Sequence, residues 1–267
     1  MQDIEYIKVM KLIFDHRMFR HINESAIKEH GSASPIFKLI ERLLRSPLVY
    51  LPLGVVEKFA TVILCLPIPV YSGIVRALVT HMRGLPNFAG MYLRALYYRG
   101  KLGSMASNVF IDQNVFFAYP KGITLGEFCY IDKNVIIMSK TAKIGRRVHV
   151  APRVFVSGGG ELEVEDHVAI ATNVNIITST ELLKDGTRAS GPMTRAHERQ
   201  VIRGKVHIKR DAFVGVNATL LPGVTMGEGS VAGVGAVLAH DTEAWSVHMA
   251  PPPRRIPDRD PVKFSVD

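Results

Sequence analysis

Between Thr178 and Lys205 the chain abandons a rhythm that it keeps on both sides, and in that interval it gathers Glu181, Asp185, Arg188, Arg195, His197, Glu198 and Arg199. Carboxylates and imidazoles can move protons when their pKa values lie near neutrality. Arginines grip phosphates and carboxylates through paired N–H donors. A segment of about 28 residues outside a repeat is of a length more common in functional loops than in idle ones. Glu181 serves as a base only where burial raises its pKa toward neutrality, or where the group it deprotonates is an amine that gives up its proton readily. The plain alternatives are a solvated carboxylate at Glu181 and an ordinary loop histidine at His197.

The elements that must hold this loop follow from the rhythm itself. Six residues separate Ile208, Val214, Leu220, Met226, Ala232 and Leu238, and the same interval links Leu125 to Ile131, Ile144 to Val150 and Val156, and Val164 to Ile170 and Ile176. One aliphatic residue in six fits neither a strand alternating every two nor a helix at 3.6. It fits a parallel solenoid of hexapeptides that turns a corner every sixth residue, each coil burying its aliphatics against the next. Phase breaks at Thr141 to Lys143 and at Gly158 to Gly160 read as small bulges from a corner. Asn114, Gly126, Asn134, Gly145, Asn173, Gly215, Asn217 and Gly227 suit turns with positive φ.

The chain has 267 residues, a hydrophobic fraction of 47% and a net charge of +9. That is enough apolar content for a proper core, and the charge favours anionic partners. No nucleic-acid-binding motif accompanies it, so nucleic acid is not an expected partner. Part of the basicity clusters at Arg195, Arg199, Arg203, Lys205, Lys209 and Arg210. The cysteines, Cys65 and Cys129, form neither a metal cluster nor a Cys-x-x-Cys pair, which points to a reducing, cytoplasmic setting without a metal. The N-terminus lacks the basic-then-apolar order of a signal peptide.

The first hundred residues differ in kind. Ser34-Pro35 followed by Ile36, Leu39, Ile40, Leu43 and Leu44 predicts an N-capped amphipathic helix ending before Pro47. Phe59 to Val75 carries no charge, but Pro67 and Pro69 interrupt it and it falls short of a simple membrane span of about twenty residues. A helical unit over 1–105 is expected, packed on the solenoid end or lying in a membrane interface; a transmembrane hairpin is the third option. The solenoid is expected over 106–250, with the extruded loop at 178–205 and a tail at 251–267.

Gly90-Met-Tyr-Leu-Arg-Ala-Leu-Tyr-Tyr-Arg, Asn108-Val-Phe-Ile-Asp, Tyr119-Pro-Lys-Gly-Ile-Thr-Leu-Gly-Glu and Ile131-Asp-Lys-Asn-Val resemble left-handed β-helix acyltransferases of polysaccharide biosynthesis. The run from Val214-Gly-Val-Asn-Ala-Thr-Leu-Leu-Pro-Gly to Val237-Leu238 is the most specific part of the resemblance, which covers about residues 85 to 256. It implies a mainly β protein, a left-handed parallel β-helix with an N-terminal helical unit. It also implies a homotrimer, acetyl-CoA as donor in a groove between coils, and a sugar or nucleotide-sugar hydroxyl or amine as acceptor.

In that family a histidine on the loop or coil before the last repeats is the base. Here Ile177-Thr-Ser-Thr-Glu stands at that place, so Glu181 is the first candidate and His197 the second. Gly191-Pro192, Arg199 and Gly204 match the outline of relatives that carry an acidic residue there. Asp185, Arg195 and Arg199 are the expected acceptor ligands. Gly215, Ala218, Gly233 and Ala236 would let a pantetheine arm approach the coils, their alternative being tight solenoid turns. The family's C-terminal Ala-Gly-x-Pro-Ala is replaced by Ala250-Pro-Pro-Pro-Arg-Arg-Ile, which removes a backbone N–H but leaves Arg254 and Arg255 for CoA phosphates.

Two other functions fit the same coils. A non-catalytic scaffold or membrane-surface adaptor accommodates both departures from the family pattern. A metal-dependent hydratase of the γ-carbonic-anhydrase type would need interfacial histidines, and His149, His167 and His207 include no pair five apart.

Overall fold

A computed structural model of the protein describes residues 12–30, 32–65, 84, 87–191 and 193–251. Among the described residues four helices, α1 (His16–His30), α2 (Pro35–Arg45), α3 (Pro47–Cys65) and α4 (Asn87–Lys101), precede a solenoid of about seven turns. Each full coil places one short strand in each of three parallel sheets, so neighbours in a sheet come from successive coils. The first sheet runs from Ser104–Met105 to Thr225–Met226, the second from Phe110–Ile111 to Val247–His248, and the third from Phe116–Phe117 to Val237–Leu238.

Register follows the hexapeptide. Ile144, Val164 and Ile208 stack in the first sheet, Val150, Ile170 and Val214 in the second, and Val156, Ile176 and Leu220 in the third. These residues are at most 3% exposed. At roughly 1.5–3 kcal/mol for each buried aliphatic, the stack is the main stabilising term of the solenoid. Each side in fact turns two residues inward, the second lying two positions earlier, as in Val168 with Ile170 and Val174 with Ile176. The side is a short strand, so alternation reappears within it.

The phase irregularities share one corner. From the first sheet to the second and on to the third the interval is always six, as in Val164, Ile170 and Ile176. From the third back to the first it stretches, in the steps Phe117 to Leu125, Ile137 to Ile144, Val156 to Val164 and Ile176 to Ile208. The extruded loop is therefore the largest of a series of insertions on a single edge, stacked above Tyr119, Lys140 and Gly159.

Turn conformation divides the expected corner residues into two groups. Asn114, Asn134, Asn173 and Asn217 do adopt positive φ, between 57° and 63°. Gly126, Gly145, Gly215 and Gly227 do not; they are glycine because the next coil passes against them. A Cβ on Gly126 would lie 2.5 Å from the Gly145 carbonyl carbon, and one on Gly227 2.5 Å from the Ala244 nitrogen. Coil stacking, not backbone handedness, excludes a side chain there.

The helical unit has its own core, with Leu12, Ile13, Phe14, Met18, Phe19, Tyr50 and Leu96 buried together. Glu57 of α3 is its polar centre. One carboxylate oxygen, Oε2, accepts the Ile13 N–H at 2.8 Å and the Arg99 Nη1 donor at 3.2 Å, while Oε1 accepts the Tyr92 hydroxyl at 2.7 Å. The unit caps the first coil: Arg94 Nε donates to the Ile111 carbonyl at 2.9 Å, and the Tyr98 hydroxyl to the Val115 carbonyl at 3.0 Å. Asp15 joins the two parts, since its Oδ1 accepts from Asn108 Nδ2 and its N–H donates to Asn108 Oδ1.

Two sequence expectations change here. Ser34 stands at the N-terminus of α2, but its hydroxyl makes no capping bond. Of the uncharged segment 59–75, residues 59–65 belong to α3, which begins earlier, at Pro47; residues 66–75 lie outside the described set. Glu57 and Lys58 disguised it, because a charged pair in sequence breaks an apolar run even when the structure turns one member inward. Among the described residues, α3 is the one helix long and apolar enough to cross a membrane by length and composition, and little of it is buried.

Candidate active site

The loop is tied at its root. Thr178 donates its hydroxyl to the Ser157 carbonyl at 2.8 Å and accepts the Gly160 N–H at 3.1 Å, while the Gly204 N–H closes on the Thr178 carbonyl at 2.9 Å. Ser179–Glu181 then pairs with Val201–Arg203 as an antiparallel hairpin. Period-2 pairing replaces the hexapeptide because Thr180 and Ile202 face each other across the hairpin and have no coil beneath them.

Glu181 ends the first hairpin strand and accepts the Ser190 N–H. Arg199 Nη1 donates to Ser190 Oγ at 2.7 Å, so Ser190 links the two. The Ser190 hydrogen bonds, with the Arg199 charge behind them, hold the Glu181 carboxyl below its usual range. Burial was one of the two conditions for a general base here, the other being an amine acceptor, and Glu181 is not buried. At neutral pH this group is a carboxylate suited to receiving a hydrogen bond from a hydroxyl or amine.

The other expected loop residues do not converge on it. His197 lies exposed on the short helix Ala196–Glu198, whose start is held by the Arg195 N–H donating to Glu198 Oε2 at 2.9 Å. Asp185 occupies a turn with φ 55°, and its side chain is exposed. Of the five loop residues, the structure brings together Glu181 and Arg199 alone.

The expected donor positions Gly215, Ala218, Gly233 and Ala236 all lie within the stacked coils. Ala218 and Ala236 belong to the solenoid core, with methyl groups turned inward. A Cβ on Gly215 would meet the Ala232 carbonyl oxygen at 2.7 Å and one on Gly233 the Met249 sulfur at 2.4 Å, so stacking accounts for both glycines. None of the four offers a side chain to a ligand. Arg254 and Arg255 lie outside the described residues.

Cations gather instead under the loop root. Lys140, Arg203 and Lys205 line a cavity of 840 Å³ with Tyr119, Glu161 and the Gly159, Gly160 and Gly204 backbone, three cations to one carboxylate. The basic cluster in the sequence already held Arg203 and Lys205; spacing missed Lys140, which comes from a separate coil and meets them only at the shared corner. The signal was present in the phase breaks, which mark that corner in every early coil.

From there the first sheet's outer face carries a ladder of opposite charges. Lys205 pairs with Glu163, and His207 Nε2 lies 2.8 Å from Glu165 Oε1. The His207 side chain is 22% exposed, which leaves it reachable from solvent. With Glu165 accepting Nε2–H, the free lone pair is on Nδ1, the arrangement of a base oriented by a carboxylate. Among the described residues no group of three or more His, Cys, Asp or Glu side chains is placed to hold a metal ion.

No protein-family model matches the chain. Individual relatives do. The chain is 26% identical over 158 residues to the dTDP-4-amino-4,6-dideoxy-D-glucose acyltransferase of Escherichia coli, a match covering 58% of this chain and 82% of that protein. It is 27% identical over 139 residues to the galactoside O-acetyltransferase of Escherichia coli K12, covering 52% of this chain and 55% of the relative. Among solved structures, AntD, an N-acyltransferase from Bacillus cereus in complex with dTDP and 3-hydroxybutyryl-CoA, superposes with a TM-score of 0.52 at 23% identity, over 60% of this chain and 85% of that one. The fold is that of the left-handed β-helix acetyltransferases. The sequence relatives are sugar acyl- and acetyltransferases of the hexapeptide-repeat type, and the chain shares their coiled fold.

Proposed function

We propose that the protein transfers an acetyl group from acetyl-CoA to a sugar amine or hydroxyl, the acceptor being a nucleotide-linked sugar of surface polysaccharide assembly. The observation that carries this reading is the extruded loop rooted over a basic cavity at one corner of the coils. Lys140, Arg203 and Lys205 supply the cations that CoA phosphates require. The relatives that act on a dTDP-linked amino sugar and on a galactoside support the acceptor class.

In the proposed reaction the acceptor nitrogen or oxygen attacks the thioester carbonyl, the C–S bond breaks, and the CoA thiolate leaves. Glu181, an anion held by Ser190, orients the acceptor together with Arg199. The acceptor proton passes to His207 Nδ1, with Glu165 stabilising the imidazolium that forms. His197, exposed on the loop, is the second candidate for that proton.

Acetyl-CoA at 100 times its dissociation constant is expected to stabilise the fold by about 2.7 kcal/mol. A thermal-shift titration reads this, and free-thiol release against amino-sugar and hydroxyl acceptors reads turnover. No shift at millimolar acetyl-CoA would leave the scaffold reading as the better one.

The assembly and its location are part of the same reading. Val234, Val237, Trp245, Val247 and Met249 are exposed on the last coils, an apolar patch that supports association into a homotrimer. Leu48, Val55, Val56, Phe59 and Val62 of α3 and Ile36, Leu39 and Leu43 of α2 are likewise exposed, beside Lys38, Arg42 and Arg45. Apolar residues flanked by cations suit a peripheral position on the cytoplasmic face of an anionic membrane. Sedimentation equilibrium should return three protomer masses, and the protein should float with anionic but not neutral vesicles. A monomer would overturn the first expectation, and sedimentation away from both vesicle types the second.

A further inference from the structure

The helical unit carries a broad apolar face, and the hydrogen bonds between coils fix the direction in which that face points. The Ile131 and Val135 carbonyls of the second coil accept the Asp112 and Phe116 N–H groups of the first. Carbonyls at these coil positions therefore point toward the N-terminal end of the solenoid. Their equivalents in the first coil, Ile111 and Val115, have no coil before them, and α4 meets them there through Arg94 Nε at 2.9 Å and the Tyr98 hydroxyl at 3.0 Å. Helix α4 thus lies flat across the open end of the coils, on their axis.

Helix α3 lies beyond it. Tyr92 and Arg99, roughly 130° round α4 from Arg94 and Tyr98, reach Glu57 of α3. Gly100 leaves no room for a Cβ against Cys65 Sγ, so the two helices run in close contact. Tyr50, Gly54 and Glu57 form the buried stripe of α3. Leu48, Val55, Phe59 and Val62 form a second stripe roughly 140° away from it, with Leu48 87% and Phe59 67% exposed. The order along the solenoid axis is coils, α4, α3 and apolar face.

Charge selects what covers the face. Both carboxylates of α2 and α3 are turned inward: Glu57 is buried, and Glu41 is 13% exposed beside Arg20 and Arg45. Lys38, Arg42, Arg45 and Lys58 are exposed. A second copy presenting the same face would set cation against cation. An anionic lipid surface takes the apolar stripe and the cations together. The bonds from Glu57 to the Ile13 N–H, Tyr92 and Arg99 hold α3 along the base, in the plane of such a surface rather than across it.

We propose that the protein stands on an anionic membrane by this N-terminal base, coils upright, and takes its acceptor from the water phase. Two helix layers of about 10 Å each and four coil steps of about 4.8 Å hold the His207–Glu165 pair on the order of 40 Å above the face. A sugar joined to a membrane lipid by a short linkage does not span that height, whereas a dissolved one enters freely. The proposal deepens the membrane position argued above and rests on it; acyl transfer itself does not.

Flotation of the full chain with phosphatidylglycerol vesicles that carry a dansyl-labelled lipid tests it. Trp245, the single tryptophan, belongs to the last coil, at the far end from the base. Wild-type protein is expected to float without energy transfer from Trp245 to the dansyl headgroups. The double variant Trp245→Phe, Phe59→Trp should float with strong transfer and a shift of its emission to shorter wavelength. Leu48→Asp with Phe59→Asp should lose at least about tenfold in vesicle affinity at unchanged Tm, the worth of one apolar side chain returned to water. Transfer from Trp245 as strong as from Phe59→Trp would mean that the coils lie along the bilayer, and the upright position fails while membrane contact survives. Resistance to alkaline carbonate would mean that α3 crosses the bilayer, which also overturns it. Failure to float removes membrane position and proposal together, and thiol release with dissolved sugars then reads acyl transfer separately. Turnover of a sugar on a lipid diphosphate in vesicles, without turnover of dissolved sugars, would overturn the water-phase acceptor.

Discussion

Replacing His207 with Asn is expected to lower kcat by about 10²–10⁴-fold, the usual contribution of a positioned proton acceptor. The variant keeps a polar side chain beside Glu165 but loses the nitrogen that could take the acceptor proton. KM for acetyl-CoA should change little, because the cations under the loop root are untouched. Glu181→Gln is the contrasting variant: a group that orients the acceptor and carries no proton should act mainly on acceptor KM. If His207→Asn retains activity within about threefold, the pair is only a cross-coil rung of the charge ladder, a contact of modest stabilising value.

Glu57→Ala is expected to destabilise the helical unit by about 3–5 kcal/mol, as removal of one member of a buried ion pair does. The cost arises from what remains. Arg99 keeps its charge in a pocket 19% exposed, and the Ile13 N–H and Tyr92 hydroxyl lose their acceptor. Burial lowers the Arg99 pKa and Glu57 opposes that shift, so deleting the carboxylate leaves the guanidinium with burial alone. Because the helical core and the coil core are separate clusters, circular dichroism should show helix melting well below the β signal. Unshifted, coincident melting of both signals would sink the idea that Glu57 holds the unit together.

The coils were legible because a solenoid writes its contacts into the sequence at a fixed interval. Each of Ile144, Val164 and Ile208 needs the same environment, so the residue type recurs and the register with the coil above follows without further information. The loop was legible as an interruption of that interval. The helical unit was only partly so: α2 appeared in its amphipathic spacing, whereas α3 was displaced by the two charges at Glu57 and Lys58. Whether a charge faces a partner or water is a property of the packed unit, and a linear reading treats both as polar.

The candidate site divides along the same line. Sequence alone determined that a loop rich in ionisable groups leaves the coils after Thr178, and its resemblance pointed to acyl transfer, the chemistry of the relatives. It could not determine the role of Glu181, since a carboxylate's pKa depends on burial and on donors such as Ser190, and neither is encoded at a fixed spacing. Nor could it find Lys140 with Arg203, which come from different coils. Local periodicity specifies which side chains turn inward. Only the stacking of coils decides which outward side chains become neighbours, because residues far apart in the chain meet at a corner when the turns between them close.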